Sequence, residues 1–209
     1  MKAKLTNAGS WFRDIAGKHR KTEWRQFLEF PVDVLPREAR SADLIIIGNT
    51  KRPFAEYGYV DPGDTILRMG RPTLVIPDGV SSLQAEHVVI GWKDTREARR
   101  AVLDALPFLH EATSVTIVEL CEPDEEKTAL ERIDDVARYL TRHRINGGPR
   151  VMIRKEGTGA AQLIRLAQQE GADLLVTGAY GHSRLGEWIF GGMTRDVLAT
   201  SPICCLMSH

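Results

Sequence analysis

Leu174-Leu175-Val176-Thr177-Gly178-Ala179-Tyr180-Gly181, followed after nine residues by Gly191-Gly192-Met193-Thr194, is the stretch on which the reading of this chain turns. Its first four residues are apolar or β-branched, the mark of a strand buried on both faces. The strand runs straight into a glycine, and another glycine stands three residues on. Glycine belongs where the backbone turns with positive φ or lies against another group. The Gly191-Gly192 pair then opens a segment of helical character, and a helix start behind such a loop is a ready anion site. A phosphate-bearing ligand is the expectation.

The common glycine motifs do not fit. Gly186 and Gly191 have the spacing of a Walker A loop, but Gly192 and Met193 follow where Lys and Ser or Thr are needed. Gly178-x-x-Gly181 is not the G-x-G-x-x-G of dinucleotide binding. Gly181-His182-Ser183 leads on to Leu185, where a nucleophile elbow requires glycine. What remains is Gly-x2-Gly-x9-Gly at Gly178, Gly181 and Gly191, set between a late strand and the last helix. This pattern resembles the universal stress protein family, well over residues 85–209 and more faintly before them. The resemblance implies an α/β fold, an open, doubly wound, five-stranded parallel sheet of the adenine nucleotide alpha-hydrolase-like type. It also implies that the loop wraps the phosphates and ribose of ATP, with Mg²⁺ as the ion that would accompany it.

Carried onto this chain, the implied nucleotide site is Thr177, Gly178, Gly181, Gly191, Gly192, Met193 and Thr194, joined by Gly91 and Lys93. The family pattern ends in Gly-Ser/Thr; Gly192 stands at the hydroxyl position here, and Thr194 is the nearest replacement. ATP-binding members carry aspartate just past the first strand, whereas this chain has Lys93, which accepts no hydrogen bond. His182, Ser183 and Arg184 can face phosphates, with Arg184 the best suited in geometry. The competing reading leaves these side chains in solvent and makes Trp188-Ile189-Phe190 an apolar cover or a contact for a partner.

Outward from the loop, strand and helix alternate. His87 to Trp92 reads as a strand, with Asp94 and Glu97 as N-cap and N3 of the next helix. That helix carries Ala98, Ala101, Val102, Ala105, Leu106 and Leu109 on one stripe. Residues 113–120 form a β-branched strand, and Ala129, Ile133, Val136, Ala137 and Leu140 a second stripe, stopped by Asn146-Gly147-Gly148-Pro149. Residues 150–155 are a strand, Thr158 caps a helix ended by Gly171, and residues 87–209 thus hold five strands and four helices.

The first part of the chain repeats the last part. Ala42-Asp43-Leu44 through Gly48 matches Ala172-Asp173-Leu174 through Gly178. Ile66-Leu67 matches Val197-Leu198, and Arg71-Pro72-Thr73-Leu74-Val75 matches Ser201-Pro202-Ile203-Cys204-Cys205. The first copy lacks the glycines, with Lys51 and Asp61 in their places, and lacks room for the opening strands. The expected organisation is an incomplete domain over 1–78, a linker over 79–85 and a complete domain over 86–209. Before the repeat, a helix is expected over 9–21, a strand over 24–27 and a helix over 32–40 despite Pro36. A short helix over 64–69 and a strand over 72–77 complete the first copy.

Among 209 residues, 28 Lys and Arg balance 28 Asp and Glu, which argues against a nucleic-acid partner held by a basic field. No apolar run reaches the ~18 residues of a membrane span, and residues 1–10 lack the apolar core of a signal peptide. Cys121, Cys204 and Cys205 read as buried thiols in a reducing cytoplasm. No nucleophile-base set and no metal-ligand spacing is visible, so no catalytic residue is named and no enzyme is expected. The expectation is a cytoplasmic stress-response module that binds an adenine nucleotide and forms a homodimer through its terminal strands. A nucleotide-independent interaction protein and a weak ATPase are the alternatives.

Overall fold

The inner strands of the second half are short and apolar on both faces, and every strand but the last is followed by a helix. The computed structural model describes residues 2–17, 21–49, 59–181 and 192–209. From residue 87 onward it contains β3 (His87–Trp92), α4 (Arg96–Glu111), β4 (Ser114–Cys121), α5 (Glu126–Arg142) and β5 (Gly147–Ile153). There follow α6 (Gly159–Gln169), β6 (Leu174–Gly178), α7 (Gly192–Thr200) and β7 (Cys204–Ser208). These five strands lie parallel in the order β7-β6-β3-β4-β5, the doubly wound arrangement expected. Val88, Ile90, Val176 and Cys204 face one core with Ala98, Ala101 and Val102 of α4. Val89, Leu175 and Cys205 face the other with Leu163 and Ala167 of α6. Cys204 and Cys205 thus bury on opposite faces, as alternation along a strand requires.

The repeat in the first half folds as its counterpart does. β1 (Ile45–Asn49), α3 (Pro62–Met69) and β2 (Thr73–Pro77) form a second parallel unit, and the sheet grows to seven strands, β1-β2-β7-β6-β3-β4-β5. β2 and β7 pair antiparallel within the chain, with Val75 directly opposite Cys205. Those two residues are equivalents in the repeat, so a local two-fold axis passes between them. Beyond β1 the resemblance stops. Val176 is fully buried, whereas its counterpart Ile46 is 63% exposed, because no strand borders the outer edge of β1 among the described residues.

Several local expectations shift. The N-terminal helix α1 spans Lys2–Ala16 rather than 9–21. Residues 24–27 form no strand, since no neighbour offers them a ladder; Trp24 instead stacks on Phe12 with ring centroids 5.5 Å apart. α2 (Pro31–Glu38) keeps Pro36 within it and ends two residues later, so a single amide donor is lost. α3 starts at Pro62 behind Asp61, whose carboxylate accepts from the Asp64 N–H at 2.8 Å. Thr95, not Asp94, caps α4 by accepting from the Ala98 N–H, and Asp94 pairs with Arg99. β5 begins at Gly147, so the glycine pair opens the strand rather than only ending the helix. Among the described residues no helix is long and apolar enough to cross a membrane.

Candidate functional site

β3 and β6 are neighbours, and the chain leaves them for opposite sides of the sheet, β4 on one and β7 on the other. At such a switch point the following loops part and leave a crevice at the carboxyl ends of the strands. A cleft of about 430 Å³ opens there, within the usual range for small-ligand sites. Gly91 and Lys93 line it from the end of β3, Thr177 and Gly178 from the end of β6, and Gly181 from the loop. Gly192, Met193 and Thr194 line it from the first turn of α7. Every expected site residue that the structure describes therefore meets in one place. Gly191, His182, Ser183 and Arg184, with Trp188, Ile189 and Phe190, lie outside the described residues.

Helix starts give the cleft its polarity. In a parallel sheet each helix begins at the carboxyl edge, and here the first turns of α4, α6 and α7 all contribute lining, through Thr95, Thr158 and Gly192. Each such terminus presents unpaired N–H groups and a partial positive charge. Lys93 and Arg154 add full charges at the rim, Arg154 lying 3.4 Å from Glu122. The chain is neutral overall, so the positive character is local and built by topology.

The glycines divide by role. A Cβ on Gly178 would stand 2.5 Å from the Ala98 nitrogen and 2.7 Å from the Glu97 carbonyl carbon. Gly178 therefore lets the first turn of α4 touch the end of β6, the tight-connection role that competes with ligand binding for this residue. Among the described residues nothing lies within 4 Å of a Cβ on Gly192, and Gly192 lines the cleft. Gly181 lies over Glu97, whose Oε2 would be 3.1 Å from such a Cβ. Glu97 is only 2% exposed. Burial alone would push its carboxyl up; the Arg96 guanidinium, its own backbone N–H and the Thr95 hydroxyl outweigh that and hold it below its ordinary range.

The expected left-handed turn falls elsewhere. Neither Gly178 nor Gly181 has positive φ, and it is Tyr180 between them that takes φ +54°. The Tyr180 N–H donates to the Thr194 hydroxyl at 3.1 Å. Thr194 is buried and its oxygen accepts from the loop, which leaves its O–H free to donate toward the cleft it lines, so the expected replacement for the missing Ser/Thr hydroxyl keeps its donor. Sequence reasoning did not single out Leu120, Arg154, Thr158, Tyr180 or Asp196, which also line the cleft. Position could have found the first three: Leu120 near the end of β4, Arg154 just past β5, and Thr158 capping α6 through its bond from Ala161. Among the described residues no group of three or more His, Cys, Asp or Glu side chains is placed to hold a metal ion.

Comparison with known proteins agrees with this geometry. The universal stress protein family profile matches residues 97–209. A universal stress protein from Archaeoglobus fulgidus DSM 4304 superposes with a TM-score of 0.71 at 15% identity, covering 97% of this chain and 76% of that one. A functionally unknown protein from Pseudomonas aeruginosa PAO1 superposes with a TM-score of 0.60 at 15% identity, covering 99% of this chain and 77% of that one. At such identity the likeness speaks for the fold alone. No curated protein matches.

Proposed function

We propose, from the premise that this chain belongs to the universal stress protein family, that it is a stress-response module binding an adenine nucleotide, ATP, in the cleft between β3 and β6. The observation that carries the reading is the convergence of three helix N-termini and the glycine loop on one cavity. The residues present fit a polyphosphate. The free N–H groups of Gly192 and Met193 at the start of α7 would hold phosphate oxygens, and Gly192 has space in front of it. Lys93, at the sheet edge, would supply charge to the same group. Gly91 keeps the floor low, since a Cβ there would press on Leu163 and Thr177. Among the described residues Asp196 is the carboxylate lining the cleft, and it would be available to an accompanying Mg²⁺.

The module acts by binding rather than turnover, in the cytoplasm, and Thr177, Gly178 and Gly181 shape its site. A second reading has support of its own. With Lys93 in place of an acceptor and Gly192 in place of a hydroxyl, two side-chain contacts that the family pattern offers a nucleotide are missing, which favours a protein that has left nucleotide binding behind. Calorimetric titration with ATP, together with chromatography of nucleotide released on denaturation, separates the two. Stoichiometric binding lost in Gly192→Asp supports the first reading. Silence up to about millimolar ATP, where binding is worth only about 4 kcal/mol, supports the second.

The homodimer also needs a new surface. β7 is already flanked by β6 and β2, so the terminal-strand pairing of the family is made inside this chain. Self-association would use the outer edge of β1, beside exposed Ile46. Concentration-dependent sedimentation that vanishes in Ile46→Lys is the expected result, and a monomer at all concentrations would discard it.

A further inference from the structure

We propose that Tyr180 is a positioning residue for the glycine loop, and that its seat is a notch at Gly63 in the other half of the sheet. The proposal deepens the nucleotide reading and rests on it for its functional consequence. Tyr180 holds a left-handed φ of +54°, a conformation that is unfavourable for a non-glycine residue and persists only where the surroundings over-determine it. Two restraints do so. The Tyr180 N–H is tied to Thr194 on α7, and its ring packs into the core that contains Ile66 of α3.

At the far end of the ring, the hydroxyl lies directly over Gly63, the second residue of α3. A Cβ on Gly63 would stand 2.3 Å from Tyr180 Oη and 3.5 Å from Cζ, so the notch accommodates the hydroxyl only because residue 63 has no side chain. Asp61 and Asp64 flank the notch at the start of α3. Burial first, and then these two carboxylates, push the phenol up from its ordinary range. A second link runs alongside, where the Asn49 amide at the end of β1 donates to the Leu198 carbonyl in α7.

Tyr180 thus touches the cleft with its backbone and the first half with its tip. The loop that aligns Gly178, Gly181 and the start of α7 is braced from α3, an element that contributes nothing to the lining of the cleft. The degenerate half would then be retained as a buttress for the working half, and a ligand bound against Gly178 and Gly181 would tighten the contact between them.

Gly63→Ala tests this, because one methyl group reaches the hydroxyl without entering the cleft. The expected result is about tenfold weaker ATP binding, the scale of one hydrogen bond to a charged group, with faster exchange of the Tyr180 amide. Gly63→Ala/Tyr180→Phe should restore both, since the nearest ring atom is then at ordinary contact distance and the remaining close neighbour, Asp61 Oδ1 at 3.1 Å, is a side chain that can shift. Tyr180→Ala, which needs no new space, should speed amide exchange at the loop with the fold intact. A Gly63→Ala protein that matches wild type in both measurements overturns the proposal, as does a double variant without rescue. If wild type itself does not bind ATP, the nucleotide reading fails, while the exchange rates alone still decide whether Gly63 seats Tyr180.

Discussion

Gly178→Ala and Gly192→Ala make the same chemical change at two glycines of one motif, and the structure assigns them opposite signs. At Gly178 the new Cβ lies 2.5, 2.7 and 2.9 Å from the Ala98 nitrogen, the Glu97 carbonyl carbon and the Ala98 Cα. All three are backbone atoms, so no rotamer change relieves the contact. Regaining ordinary contact at 3.4 Å requires the start of α4 to withdraw by about 0.9 Å from β6. Overpacking of this kind typically costs 1–3 kcal/mol, and a clash with backbone belongs at the upper end, about 3 kcal/mol. For a chain of this length that lowers Tm by roughly 6–12 °C. Among the described residues Gly192 has no neighbour within 4 Å, and it opens helix α7, so alanine fits there. The gain from restricting the unfolded chain is about 0.5 kcal/mol, or roughly 1–2 °C. Urea and thermal denaturation of the two variants beside wild type, without ligand, give the comparison. If Gly178→Ala falls within about 0.5 kcal/mol of wild type, as ordinary surface changes do, the packing role assigned to Gly178 is wrong and ligand approach must explain it.

Two further outcomes follow from buried ionisable groups. Glu97 is held below its ordinary value of 4.5, so its contribution to stability is present above that pH and lost as pH falls through the lower folded value; urea midpoints measured against pH should fall less steeply on the acid side in Glu97→Gln. Cys121, Cys204 and Cys205 are all buried, with Cys205 pushed up to about 12 by desolvation, so a disulfide reagent at about pH 8 should find none of the three in native protein and all of them in guanidinium.

The sheet was legible because its signals were long and redundant. β6 and β1 are apolar runs that end in glycine behind an Ala-Asp-Leu lead, and the repeat alone places β2 beside β7 in type, though not in direction. What failed was decided between near-equivalent neighbours or by absent partners. Asp94 and Thr95 are both good caps, and the register in which α4 packs against Gly178 selects Thr95. Residues 24–27 have strand composition but no neighbouring strand, and a ladder needs two. The loop was half legible. Glycine spacing leaves positive φ, close approach to a ligand and a tight connection all open; Gly178 is glycine because α4 presses on it, and the left-handed residue is a tyrosine held from both ends. No local pattern encodes that, since the groups that hold it are Thr194 and the surroundings of Gly63, one near in sequence and the other far.

The placement of the half-repeat follows from what an open edge costs. A sheet ending at β7 would present five fully buried residues, Cys204–Ser208, as an unpaired edge, the kind of strand that recruits another chain. β2 fills that edge across the local two-fold axis, with Thr73, Leu74 and Val75 paired to Met207, Leu206 and Cys205. The half-repeat thereby moves the open edge outward to β1 rather than removing it. The opposite edge, β5, is blunted by exposed Pro149 and Arg150, whereas β1 offers Ile45, Ile46 and Ile47 with no proline or charge among its residues. Among the described residues protection is therefore lopsided, and the edge without a neighbouring strand lies in the half that carries Gly63 and Asn49. Any strand that pairs with β1 would stiffen the element carrying Asn49 and, through Leu198, the helix whose first turn faces the cleft. If edge pairing and ligand binding are coupled in this way, an occupant of the edge raises affinity in the cleft by the same factor as ligand raises affinity at the edge. An ATP affinity that does not change between dilute and concentrated protein while the oligomer forms refutes it.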